Sequence, residues 1–126
     1  MPFIPLHDTT PRLYIARPWI NWLLIVACAL AYFGQTSGGE EGFVRLVYGL
    51  GVIPAVLTGE AELSPGLVMA DPLVTLLSYQ FLHGGFMHLA GNMLYLWVFG
   101  DNVEDAMGHA RFLLFYLVCG VAAALA

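Results

Sequence analysis

The chain has 126 residues, 60% of them hydrophobic and only 10% charged. A soluble domain carries about 25% charged residues, and a chain this short has too much surface to hide so many apolar side chains. The composition therefore points to a membrane protein. The net charge is −5, with four basic residues, all arginine, so the electrostatic footprint that nucleic acid requires is missing.

Residues 1–18 are punctuated by Pro2, Pro5, Pro11 and Pro18 and hold Arg12 and Arg17. This pattern reads as an extended tail. Trp19–Phe33 is an apolar run with Asn21 as its one strongly polar member, and Trp19, Trp22 and Tyr32 suit interfacial anchors. With its flanks, about 19–36, it reaches spanning length. Ile25-Val26-Ala27-Cys28 loosely fits a lipoprotein cleavage box. The apolar run continues past it, however, so a retained anchor helix is expected.

Residues 37–82 are mixed and are expected to form an outer loop with interfacial helices. Gln35–Glu41 breaks the first span. Phe43, Leu46, Val47, Leu50 and Ile53 then repeat at helical spacing. That stripe suits either a helix lying on the membrane surface or one packed on its neighbours. Asp71-Pro72 predicts a helix start, a capping carboxylate followed by proline at the first helical position. A second span follows at about 83–100, then a polar turn containing Asp101, Asn102, Glu104 and Asp105. A third apolar run fills about 110–126. It ends without a polar flank, which leads us to expect a longer gene product.

Cys28 and Cys119 lie singly in apolar stretches, where a disulfide framework or a zinc site is not expected. Charge placement gives an orientation. Arg12 and Arg17 precede the first span and Arg111 lies between the second and third, whereas 34–82 holds Arg45 against five acidic residues. Arginine-rich loops stay cytoplasmic. The expected topology is an inside N-terminus, an outside long loop and an inside turn near Asp101–Arg111.

Polar side chains inside a span are expensive and mark function. His83, His88 and Asn92 are the candidates. His88 and Asn92, four residues apart, share one helix face, and His83 stands where the chain enters the membrane. A lone polar residue here would more often be interhelical glue, but three within ten residues shift the balance towards a polar site. Metal binding by the histidines is a weaker reading, because no acidic ligand is near and the spacing is not His-Glu-x-x-His.

The string Phe81-Leu82-His83-Gly84-Gly85-Phe86-Met87-His88-Leu89-Ala90-Gly91-Asn92-Met93 resembles the signature of the rhomboid family of intramembrane serine proteases. Gly100-Asp101-Asn102-Val103-Glu104-Asp105-Ala106-Met107-Gly108 continues in the same style. The resemblance implies an all-α polytopic membrane helix bundle, of which this chain is the first two spans and part of the third of a six-helix core. It implies an integral protein of the bacterial inner membrane, cleaving transmembrane protein substrates near the outer surface, with no metal or organic cofactor. It also implies that His88 and Asn92 stabilise the oxyanion and that His83 supports the nearby loop or water access. Glu104 and Gly108 would serve the architecture of the inner end, by hydrogen bonding and by close helix contact respectively. The family's nucleophile lies in a Gly-x-Ser-Gly motif. Here Ser37, Ser64 and Ser78 lie in other contexts, and no histidine follows His109. The family's frequent Trp-Arg pair is replaced at the matching place by Val74-Thr75. The chain alone is therefore expected to be inactive. The alternative reading is a catalytically inactive relative that binds transmembrane clients.

Overall fold

The computed structural model describes residues 8–126, and no strand occurs among them. The elements are α1 (Trp19–Ser37), α2 (Gly39–Leu50), α3 (Pro54–Leu57), α4 (Pro72–Ser78) with a 3-10 turn at Tyr79–Phe81, α5 (Phe86–Tyr95), a π-helical segment at Leu96–Gly100, α6 (Asp101–Met107) and α7 (His109–Leu125). The chain divides into two compact units. One joins the segment ending at Ala29 with His83–Tyr116; the other joins Leu30–Leu82 with Leu117–Ala126.

α1 is long and apolar enough to cross a membrane, with 19 residues and a mean hydropathy of 1.3. Its pattern is inside out. Trp19, Leu23, Val26, Leu30 and Phe33 are exposed, at spacings of three and four residues, while Asn21 and Gln35 are buried with Leu24 and Cys28. In water that arrangement would be costly, because large contiguous apolar surfaces are rare on soluble monomers. Against lipid it is the expected one, since polar side chains there serve as contacts between helices.

In the first unit, α5, the π segment and α6 follow one another without a gap, so 86–107 is one continuous helix. The sequence predicts a polar turn from Gly100 onward. The structure instead keeps Asp101–Met107 helical, because the polar side chains there find partners elsewhere in the unit. The turn comes only at Gly108, whose φ of 80° is left-handed and suits a residue without Cβ. The tail is non-helical over 8–18, as its prolines predict; residues 1–7 lie outside the described residues.

In the second unit, the expected break at Gln35–Glu41 shrinks to a single residue. α1 runs to Ser37, Gly38 intervenes, and α2 begins at Gly39 with Glu40 and Glu41 in its first turn. Acidic residues suit the positive end of a helix dipole, so the pair that looked like a breaker is a starter. α4 begins where Asp71-Pro72 predicts. The Asp71 carboxylate accepts the Leu73 N–H at 2.9 Å, with Pro72 at the first helical position. The end of this loop is tied to α7 through backbone carbonyls. The Tyr79 hydroxyl donates to Gly120 O, and Gln80 Nε2 donates to Leu117 O at 3.2 Å.

Candidate functional site

The 86–107 helix carries polar groups at both ends, and both ends lie in the first unit. At the Phe86 end, the chain is extended through Leu82 and Gly85 and turns into α5 at Phe86. His83 is buried, 3% exposed. Its ring meets that of His88 edge to face, with centroids 5.3 Å apart and an interplanar angle of 72°. The structure therefore brings His83 and His88 together although one precedes α5 and the other belongs to it. Asn92 stands one turn beyond His88, and both are exposed. Among the described residues, no hydrogen bond engages the side-chain donors of His88 or Asn92.

Such an arrangement can do one kind of chemistry well. An imidazole N–H and a carboxamide NH₂ are donors. Two donors lie on one helical face, with the His83 ring set against the first, a layout able to bond a single negatively charged acceptor. Preorganised donors are effective because they need not reorganise as the charge appears. The described residues contain no group of three or more His, Cys, Asp or Glu side chains able to hold a metal.

At the Met107 end the polar groups are spent. Glu104 is fully buried. Its carboxylate accepts Ile20 N–H at 3.0 Å and Asn21 N–H at 2.8 Å, and it pairs with Nδ1 of His109. The start of α1 has no capping side chain of its own, since Pro18 precedes it, and Glu104 supplies the missing acceptor across the unit. First-turn N–H groups need such partners, and the helix dipole favours a carboxylate there. Asp105 does the same for the tail. Its oxygens accept the N–H groups of Leu13 at 2.8 Å, Tyr14 at 2.8 Å and Ile15 at 2.7 Å. The Leu13 bond is the main reason its carboxyl is held below the ordinary range, with Ile15, Tyr14 and the Arg12 charge adding to it. Asn102 Nδ2 donates to Asp8, and Arg12 lies 3.6 Å from Asp101.

Glu104 thus bonds the start of α1 and His109. Gly108 does not make the close helix contact expected of it. A Cβ built there would meet nothing within 4 Å. Its requirement is conformational, for the left-handed turn between α6 and α7, whose N–H returns to Glu104 O at 2.7 Å. Sequence reading missed Asp105 as a dock for the tail. It noted Asn21 only as a polar interruption, and it had no signal for the π segment.

A family described as the Rhomboid domain matches residues 70–126. The chain is 47% identical over 111 residues to the Rhomboid protease GluP of Bacillus subtilis (strain 168), an alignment covering 87% of this chain and 20% of that protein. It is 29% identical over 132 residues to RHOMBOID-like protein 5 of Arabidopsis thaliana, covering 88% of this chain and 43% of that protein. The chain spans less than half the length of either relative. No solved structure matches it significantly.

Proposed function

Because this chain belongs to the rhomboid family of integral membrane proteins, we propose that it forms the opening spans of an intramembrane serine endopeptidase and supplies its oxyanion donors. The observation that carries the reading is the pairing of His88 and Asn92 on one exposed face of α5, with the His83 ring set against His88. In the proposed reaction, a serine from elsewhere in the full-length protein attacks the carbonyl carbon of a substrate peptide bond as its histidine base takes the hydroxyl proton, which then goes to the leaving amine. Negative charge develops on the carbonyl oxygen, and His88 Nε2 or Nδ1 and Asn92 Nδ2 donate to it. His83 is a positioning residue for His88. The layout proposed with it has a cytoplasmic N-terminus, spans at about 19–36 and 83–100, the loop 37–82 outside, and a third span from about 110. Transmembrane proteins are the proposed substrates.

The test uses the full-length protein in proteoliposomes with a transmembrane reporter. Losing one oxyanion donor costs about 100-fold or more in kcat, so Asn92→Ala and His88→Ala should each slow cleavage by that order. Cleavage at the native rate by both variants overturns the reading. Full-length protein that is folded yet cleaves nothing, with or without the substitutions, supports instead an inactive binder of transmembrane clients. Residues 1–126 alone should cleave nothing, and cleavage by them would show that the nucleophile lies within the chain.

A further inference from the structure

Asn21 is 1% exposed and sits where α1 meets the π segment. Its Nδ2 donates to the carbonyl of Leu96 at 2.8 Å. The N–H of Leu96 in turn donates to the carbonyls of Asn92 and Met93. Residue Leu96 is therefore held on both sides, its carbonyl by the Asn21 side chain and its N–H, in the preceding peptide group, by the backbone of Asn92 and Met93. Its placement matters, because a π turn widens the helix and loosens its regular carbonyl pairing. A single wide turn also adds about one residue, rotating everything beyond it by about 100° relative to His88 and Asn92.

The other half of the amide is as informative. Oδ1 of Asn21 is buried with no hydrogen-bond partner. It rests on Gly100, where a Cβ would lie 2.1 Å from it. The Cα–H face of a glycine is at best a weak donor. A residue serving only to fill this space would be apolar and would bury no orphaned oxygen. The amide is costly at one atom and useful at the other, and the useful atom is the one that holds Leu96.

We propose that Asn21 is a positioning residue for Asn92. It pins the Leu96 peptide, fixes where the wide turn falls, and so sets the height and rotation at which Asn92 is presented. The proposal rests on the reading of Asn92 as an oxyanion donor. It requires Gly100 at the crossing, because any side chain there would displace the amide.

Two measurements on the full-length protein test it. The first is single-turnover cleavage of a transmembrane reporter, normalised to folded enzyme. Asn21→Leu keeps the branching and heavy-atom count of the side chain, with a larger volume, and removes the donor. It should lower kcat about tenfold with KM within about twofold, because small displacements of a donor are costly to the chemical step. In an Asn92→Ala background the same substitution should change kcat by less than about twofold, since the residue it positions is gone. An equal loss in both backgrounds makes Asn21 mere interhelical glue and overturns the proposal. A silent Asn92→Ala removes instead the oxyanion reading on which the proposal stands. Asn21→Ala serves the same comparison should Asn21→Leu not accumulate. The second measurement is thermal unfolding. Gly100→Ala should lower the midpoint more in the native background than in the Asn21→Ala background. Equal lowering in the two overturns the contact itself.

Discussion

At the Met107 end of the 86–107 helix, the carboxylates of Glu104 and Asp105 are buried and accept the backbone N–H groups of Leu13, Tyr14, Ile15, Ile20 and Asn21. At the Phe86 end, His88 and Asn92 stand exposed. Both ends are polar and both sit on one helix, yet they answer different demands. A buried carboxylate whose partners are backbone amides of other segments is structure: removing it leaves several donors unpaired in a poorly solvated place. Exposed donors with nothing to bond add little to folding and remain available to a ligand or a reacting atom. The comparison therefore predicts that substitutions at one end unfold the protein and those at the other disarm it.

The largest effect belongs to Glu104. Glu104→Ala should cost about 2–6 kcal/mol, because it leaves the Ile20 and Asn21 N–H groups unpaired at about 1–3 kcal/mol each, read as a shift in the unfolding midpoint in detergent. A loss under about 1 kcal/mol would mean that α1 finds another cap and that this end is not the anchor. His88→Ala should raise the activation barrier by about 3 kcal/mol while changing stability by less than about 1 kcal/mol. Stability falling in step with activity would erase the contrast between the ends. Gly108→Ala should cost about 1–3 kcal/mol, the strain of a Cβ at a φ of 80° and a ψ of 160°, a backbone region nearly confined to glycine. No neighbour crowds that position, so larger residues should cost little more than alanine.

The smallest effect is a pH response. Backbone hydrogen bonds, that of Leu13 first, hold the Asp105 carboxyl below its ordinary value. A carboxyl depressed by folding stabilises the fold above its unfolded value, and that contribution is lost as pH falls through the folded one. Docking of the tail should therefore persist from pH 7 down to about 4, the ordinary carboxylate region, and fail only below it. Amide resonances of Leu13, Tyr14 and Ile15 followed by titration in micelles report this directly. Release between pH 5 and 7 would show that some other group holds the tail.

The two ends also differ in how legible they were. That His88 and Asn92 share one face of α5 could be read from spacing, because a four-residue separation on an apolar helix is a local pattern. Asp71-Pro72 was legible for the same reason, since cap and proline act within one turn. The Met107 end was not. Asp105 bonds residues 90 to 92 positions away in the chain, so in sequence the run from Asp101 to Asp105 looks like a solvated turn. Gly108 was recognised, but for the wrong cause, because a family position shows that glycine is wanted without showing whether space or φ demands it. Asn21 was visible as one polar residue in an apolar span. Its partner, Leu96 O, is a backbone atom in a π segment 75 residues away in the chain, and side-chain patterning carries no record of it.

The central claim is that the Phe86 end is chemical and not structural, and single-turnover cleavage by full-length Asn92→Ala in proteoliposomes tests it most directly. The rate per folded molecule should fall about 100-fold with the unfolding midpoint unchanged. A native rate, or a loss of rate matched by a loss of folded protein, would contradict the account.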